Sequence, residues 1–155
     1  MTTIVGIDPG EKSGGVAVIH DDHALPHVIP MPSIEDFADI MEELALKRSH
    51  VFIEKAQSFP KQGIASAFNY GRHFGELLGV IMAFKMPHTL VPPRTWTKVM
   101  HAGTKDADTK SRSIEAVRRL FPLVLLVPEE SRAKKPHLGI VEALLIAEYG
   151  RRTLK

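Results

Sequence analysis

Two acidic residues stand at the ends of short apolar runs in this chain. Asp8 closes a run that begins at Ile4, and Glu54 closes a run that begins at Val51. Each run has the length and composition of a buried strand. A carboxylate at the mouth of a buried strand is costly unless positive charge meets it. The two acids therefore predict half of a metal site; the alternatives are an Asx turn for Asp8 and a surface ion pair with Lys55 for Glu54.

A third acid, Glu142, lies within the apolar helical stretch 140–147. Its neighbours on both sides are aliphatic, which makes a simple solvent-facing position a poor explanation. Asp8, Glu54 and Glu142 converge if the two strands are neighbours and this helix crosses their ends. Hard oxygen ligands favour Mg²⁺ or Mn²⁺. Two such ions roughly 4 Å apart can activate a water and stabilise the leaving oxygen of a phosphodiester.

Alternating strands and helices must position these acids. Glycines 14 and 15 and the cluster Asp21-Asp22-His23 mark turns, so the first three strands form an antiparallel meander. Ser33 with Asp36 predicts a helix N-terminus. The strands are predicted over residues 3–8, 14–20, 26–31, 51–54 and 88–91, and the helices over 34–48, 66–85, 94–100, 109–120 and 139–151. The pattern predicts an α/β fold, a mixed five-stranded sheet flanked by helices, in one domain over residues 1–155.

Composition excludes several classes of protein. With 44 % hydrophobic and 25 % charged residues, the chain has the composition of a folded globular protein rather than a disordered one. It has no cysteine, so it can form neither a disulfide framework nor a thiolate zinc site. No apolar run approaches the roughly 20 residues that span a bilayer, and the N-terminus lacks a basic segment of the signal-peptide type. We expect an intracellular protein with no membrane partner.

Charge is distributed unevenly along the chain. Residues 1–50 carry a net charge of −6 and residues 51–155 a net charge of +8, within a total of +2. Such a distribution is typical of a protein with a face that binds a polyanion. Solvated helix faces and caps are the alternative for any single residue. The basic residues concerned are Arg94, Lys98, Lys105, Lys110, Arg112, Arg118, Arg119, Arg132, Lys134 and Lys135.

Three motifs together resemble those of RuvC-type Holliday junction resolvases, especially the short phage-like branch. They are Ile-Val-Gly-Ile-Asp-Pro-Gly at 4–10 with Gly-Gly-Val-Ala-Val at 14–18, Phe-Ile-Glu-Lys-Ala-Gln at 52–57, and Pro-His-Leu-Gly-Ile-Val-Glu-Ala-Leu-Leu-Ile-Ala-Glu-Tyr-Gly at 136–150. Each motif alone is weak, but their order and spacing match from end to end. The resemblance implies an RNase H-like fold, a homodimer, and metal-dependent symmetric nicking of four-way DNA junctions.

The resemblance also assigns catalytic and metal-binding roles. Asp8 takes the place of the first-strand ligand, Glu54 that of the fourth-strand ligand, and Glu142 stands where the family has an aspartate before Ala-Leu. The family places another acid about one helical turn earlier, and here the chain departs from it with His137, Leu138 and Gly139. Imidazole can bind a divalent ion or orient water. If the last helix begins near Gly139, His137 lies in the lead-in loop, could swing towards the site, and is the candidate fourth ligand. Contact with phosphate or solvent is its alternative.

A loop over residues 57–63 follows Glu54 directly and, in the family, the equivalent region meets the junction centre. Phe59 could wedge or stack at an unpaired base step, or it could cap the protein's own core. Trp96 is interpreted as helix-packing core, with a platform for base stacking as the alternative. Phosphate contacts position DNA without reading its sequence. The predicted DNA-binding residues are Phe59, Lys61, Lys105, Lys110, Arg132, Lys134 and Lys135.

The predicted activity is that of a Mg²⁺- or Mn²⁺-dependent endonuclease that resolves Holliday junctions, acting in the cytoplasm of a bacterium or a phage-infected host. One alternative is a catalytically weak junction-binding protein, and Leu138, which cannot bind a metal, is the residue that favours it. Another is an RNase H-like nuclease acting on RNA or on other branched DNA. A kinase-like ATPase would need a second domain, for which 155 residues leave no room.

Overall fold

In the part of the chain that the structure describes, five strands form one mixed sheet. The computed structural model describes residues 2–20, 22 and 24–155, so the predicted turn residues Asp21 and His23 lie outside the described part. In chain order the strands are β1 (Thr3–Asp8), β2 (Gly15–Ile19), β3 (His27–Pro30), β4 (Ser49–Glu54) and β5 (His88–Val91). The sheet order is β3-β2-β1-β4-β5. Strand β1 is antiparallel to β2 and parallel to β4, which confirms both the meander and the mixed sheet.

Within the described residues, five helices connect and flank these strands. They are α1 (Ile34–Ala45), α2 (Ile64–Ala83), α3 (Pro93–Met100), α4 (Thr109–Leu120) and α5 (Leu138–Thr153). The Ser33 hydroxyl accepts a hydrogen bond from the Asp36 amide at 3.1 Å, so the predicted cap of α1 is present. Helix α2 ends before Lys85, whose φ of 54° is left-handed. Among the described residues, none of the helices combines the length and apolar character needed to cross a membrane.

Strand alternation divides the core between the two faces of the sheet. On one face Val5 and Ile7 pack with residues of α1 and α2, including Phe37 and Leu77. On the other face Ile4 packs with α3, α4 and α5. Because side chains alternate along a strand, Asp8 lies on the same face as Ile4, which is the face that α5 covers.

Helix α5 lies unusually close to the sheet because glycines line the contact. A Cβ atom at Gly6 would collide with the backbone of Ala143 and Ala147 on α5. A Cβ atom at Gly139 would collide with the carbonyl oxygens of Ser13 and Gly14. Backbone therefore meets backbone at both points, which fixes the depth at which α5 sits on the strands.

Candidate active site

Strands β1 and β4 deliver the first two acids to the same edge of the sheet. In their parallel register Ile7 pairs with Ile53, so the next residues, Asp8 and Glu54, leave the sheet side by side. The carboxyl ends of parallel strands meet at one edge, and ligand sites in α/β sheets are commonly found there. The prediction that the first and fourth strands are neighbours is confirmed.

Asp8 combines a turn with an electrostatic cluster. Its Oδ1 atom accepts a hydrogen bond from the Gly10 amide at 3.3 Å, which is the Asx turn considered as an alternative. The same carboxyl group is also hydrogen-bonded to Glu142. Burial raises the pKa of Asp8 well above its usual range, and the charges of Glu142 and Glu54 raise it further. The turn and the acid pair coexist, because a carboxyl group has two oxygens.

Glu54 is held by an indole rather than by a surface lysine. The Nε1 atom of Trp96 donates a hydrogen bond to Glu54 Oε2 at 2.6 Å. Burial raises the pKa of Glu54 to about 7, the Trp96 bond opposes this, and the charge of Glu142 adds to it. Lys55 is exposed, and within the described chain it forms no ion pair with Glu54. The alternative of a surface pair is therefore wrong.

Glu142 completes the cluster from α5. Burial raises its pKa, while the hydrogen bond with Asp8 and the nearby charge of Lys110 lower it. The predicted crossing of α5 over the strand ends is thus present. It also brings one predicted DNA-binding lysine, Lys110 at the start of α4, close to the acids.

Sequence reasoning missed Tyr70 on α2. Burial raises the pKa of its phenol to about 12, with further contributions from the charges of Glu54, Asp8 and Glu142. The hydroxyl therefore stays protonated and can donate a hydrogen bond beside the acids. The available signal was its position in the first half of the helix that directly follows the loop after Glu54.

His137 is the N-cap of α5, not a residue of a mobile loop. Its Nδ1 atom accepts a hydrogen bond from the Ile140 amide at 3.3 Å, and its own amide donates to the Leu126 carbonyl at 2.7 Å. The expectation that it could swing towards the site from a lead-in loop is therefore wrong. Nε2 is the ring nitrogen that the cap does not use, and the role of His137 as a ligand stays a prediction.

Packing excludes an acid at one of the two positions that lie about one turn before Glu142. Position 139 is three residues earlier, and any side chain there would collide with Ser13 and Gly14 backbone. Leu138 is the first residue of α5 and is partly buried. The chain can therefore supply a fourth ligand only from a residue outside the closest α5–sheet contact.

The donor set suits a hard divalent cation. Asp8, Glu54 and Glu142 offer only carboxylate oxygens, and the raised pKa values show that three negative charges are disfavoured without positive compensation. In the part of the chain that the structure describes, no three His, Asp or Glu side chains form a ready-made ligand group. A divalent cation held by these carboxylates would supply that compensation.

The predicted DNA-binding residues all lie on the surface. Phe59 is 60 % exposed, so the alternative that it caps the core is wrong. None of the basic side chains among them forms an ion pair with another described residue. These exposed basic residues are Lys61, Lys105, Lys110, Arg132, Lys134 and Lys135.

A basic cleft between α3 and α4 adds to this surface. It has a volume of about 430 Å³ and is lined by Arg94, Lys98 and Arg112 together with Thr97 and Thr109. The three basic residues belong to the positive half of the chain but were not among the predicted DNA contacts. Their convergence depends on how α3 and α4 pack, which composition does not show.

Comparison with known proteins gives a result for structure only. No family model and no curated protein matches the chain. Its structure is similar to T. thermophilus RuvC in complex with a Holliday junction substrate, with a TM-score of 0.60 and 18 % identity over 99 % of this chain and 96 % of that one. A second Thermus thermophilus RuvC structure matches with a TM-score of 0.59 and 16 % identity, over 97 % and 96 % of the two chains. The predicted RNase H-like fold of RuvC is confirmed.

Proposed function

We propose that this protein is a metal-dependent, structure-selective DNA endonuclease that resolves four-way Holliday junctions by symmetric nicking. The observation that carries the proposal is the convergence of Asp8, Glu54 and Glu142 at one edge of the sheet, where burial raises the pKa of each acid and neighbouring carboxylates raise those of Asp8 and Glu54 further. Perturbed acids in such a cluster are typical of a catalytic site. The fold supports the proposal, since one of its structural neighbours was solved with a Holliday junction substrate.

The chemistry follows from what the residues can hold. Asp8, Glu54 and Glu142 would bind two Mg²⁺ or Mn²⁺ ions, which supply Lewis-acid activation of a phosphodiester and of the attacking water. Tyr70 remains a hydrogen-bond donor next to the acids, suited to an oxygen of the substrate phosphate. Lys110 offers a positive charge at the same place.

Neutral isosteres of the acids test this proposal. Asp8→Asn and Glu54→Gln should each abolish nicking of a synthetic four-way junction, because each removes a ligand charge. Junction binding in a gel shift should stay unchanged or tighten, since less negative charge faces the phosphates. Glu43→Gln is the matched control, because Glu43 lies on the surface of α1 and pairs with Lys47. Substantial cleavage by either active-site variant would contradict the two-metal assignment.

The proposed DNA surface surrounds this edge of the sheet. Exposed Phe59 lies in the segment between β4 and α2, where an aromatic ring could enter an opened base step. Lys105 and Lys110 lie beside the α3–α4 cleft, and Arg132, Lys134 and Lys135 lie in the segment that leads into α5. Their unpaired positive charges support phosphate contacts.

We also propose a homodimer that forms through the outer face of α2. Ile64, Phe68 and Met82 are 91 %, 69 % and 56 % exposed, respectively. Nothing lies within 4 Å of a Cβ atom built at the glycines between them. The apolar and small residues recur at helical spacing on one face, which would let two copies of α2 approach closely. This face consists of Ile64, Phe68, Gly71, Gly75, Gly79 and Met82.

Light scattering on the purified protein tests the dimer. Gly75→Leu and Phe68→Asp should convert a dimer of the wild-type chain into a monomer. Leu46→Asp is the control, because Leu46 is 87 % exposed but lies outside the α2 face. A dimer that survives both α2 substitutions would place the interface elsewhere.

A junction-binding protein with weak catalysis is the second candidate. It is favoured by one observation, namely that α5 has no acid one turn before Glu142 and no space for one at Gly139. Junction binding without nicking in either Mg²⁺ or Mn²⁺ would support this candidate. A panel of four-way junctions, flaps, forks and RNA–DNA hybrids separates the proposed activity from that of another RNase H-like nuclease. We place the chain with the short phage-like resolvases on its motif pattern alone.

A further inference from the structure

The tryptophan of this chain lies directly behind the candidate active site. Trp96 is 2 % exposed, and its indole donates a 2.6 Å hydrogen bond to one oxygen of Glu54. We propose that Trp96 is a positioning residue, which holds Glu54 Oε2 so that Oε1 is the oxygen presented to a divalent cation. The inference rests on the proposed function in treating Glu54 as a metal ligand.

The hydrogen-bonding capacity of the indole supports this role. An indole has one donor and no acceptor, so Trp96 can occupy one carboxylate oxygen and leaves the other oxygen free. A hydrogen bond to a charged acceptor is short and stronger than a neutral one. A free glutamate side chain rotates about several bonds, whereas this contact selects one orientation.

Packing holds the indole in place from two sides. Two prolines at 92 and 93 begin α3, which fixes the start of the helix that carries Trp96. The His101 ring packs edge-on against the indole, with ring centroids 5.8 Å apart. His101 Nε2 is itself hydrogen-bonded to Ser113 Oγ on α4 at 2.8 Å. Because His101 and Ser113 are both buried, the orientation of Trp96 is determined by the packing of α3 against α4.

The contact can be tested without metal or DNA. The chain contains one tryptophan, so its ¹H–¹⁵N spectrum has one indole signal, which belongs to Trp96. A hydrogen bond to a carboxylate moves this signal downfield. In metal-free protein above pH 8, Glu54→Gln should move it upfield, whereas Glu43→Gln should leave it in place. A signal that does not respond to Glu54→Gln would overturn the inference whatever the function of the protein.

The consequence for metal binding is tested by removing only the N–H group. Trp96→Phe, or replacement of Trp96 by 3-benzothienylalanine if the phenylalanine variant does not fold, should weaken Mn²⁺ binding measured by calorimetry about tenfold. Nicking should lose kcat while KM for the junction stays the same, because Trp96 does not touch DNA. Met100→Leu, equally buried on the same helix, should change neither quantity.

A double substitution separates positioning from packing. In the Glu54→Gln background, Trp96→Phe should cause no further loss of Mn²⁺ affinity, since no carboxylate remains to be oriented. A folded Trp96→Phe protein that binds Mn²⁺ as tightly as the wild type would overturn the inference while leaving the proposed function intact. Wild-type protein whose Mn²⁺ binding does not depend on Asp8 would instead contradict the proposed function, and with it the metal-binding part of the inference.

Discussion

The three carboxyl groups affect the stability of the protein differently from ordinary surface acids. A carboxyl group usually has a lower pKa when folded than when unfolded, but Asp8, Glu54 and Glu142 all have raised pKa values. Between the unfolded value of about 4.3 and the folded value of about 7 for Glu54, the folded state binds more protons. Its free energy of unfolding therefore falls as pH rises through this window.

This predicts that metal-free protein becomes less stable from about pH 5 to pH 7.5. Glu54→Gln removes one titrating group, so its thermal midpoint should fall less over the same range and exceed that of the wild type at pH 8. The measurement is thermal unfolding in EDTA at several pH values. The difference between the two proteins removes the contribution of other titrating groups. One such group is Glu148, whose pKa is lowered by its pairing with Arg151 and Arg152. Parallel curves for the two proteins would contradict the assignment.

His137 can be tested because capping and metal binding require different atoms. Loss of a helix cap costs about 1 kcal/mol, so His137→Ala should lower stability whether or not the ring binds metal. Asparagine is a good N-cap, so His137→Asn should retain the helix while removing the imidazole. If Nε2 binds the softer ion, nicking should favour Mn²⁺ over Mg²⁺ in the wild type and lose that preference in His137→Asn. An unchanged metal preference would leave His137 as a helix cap only.

At the scale of elements, the depth of α5 on the sheet determines where Glu142 lies. Gly139→Ala should destabilise the protein by about 3 kcal/mol, the upper end of the usual range for overpacking, because the new methyl group meets fixed backbone at Ser13 and Gly14. Helix α5 would have to move away from β2, so Mn²⁺ affinity should fall as well. Leu138→Ala is the neighbouring control. Wild-type stability in Gly139→Ala would show that α5 can shift without cost.

The elements could largely be predicted from the sequence, but the contacts between them could not. Asp8 and Glu54 were found because each follows an apolar run of strand length. The Trp96 bond was missed because α3 has a pattern that only indicates burial, and a pattern does not show which acceptor an indole reaches. The His137 cap was missed for a related reason, since the start of α5 had been predicted one residue too late.

At the scale of the whole molecule, the packing of the helices brings basic residues from separate parts of the sequence together on one surface, as in the cleft between α3 and α4. We predict that junction binding weakens steeply with salt, by a log–log slope of about −0.9 for each phosphate contact. Lys134→Ala with Lys135→Ala should make this slope shallower by about 1.8. Lys47→Ala is the control, because Lys47 pairs with Glu43 on α1. An unchanged slope in the double variant would mean that DNA lies on another surface.

The glycine contacts beneath α5 also limit how this protein can evolve. Surface lysines can be exchanged one mutation at a time, because their side chains extend into solvent. Gly6 and Gly139 cannot change in this way, because any new side chain would collide with backbone atoms. Backbone atoms cannot move aside by a change of rotamer, as a side chain can. Several substitutions on a strand and on α5 would have to occur together. The packing of this helix against the sheet is therefore expected to be conserved as a whole. The surface residues that meet the substrate are expected to vary independently of it.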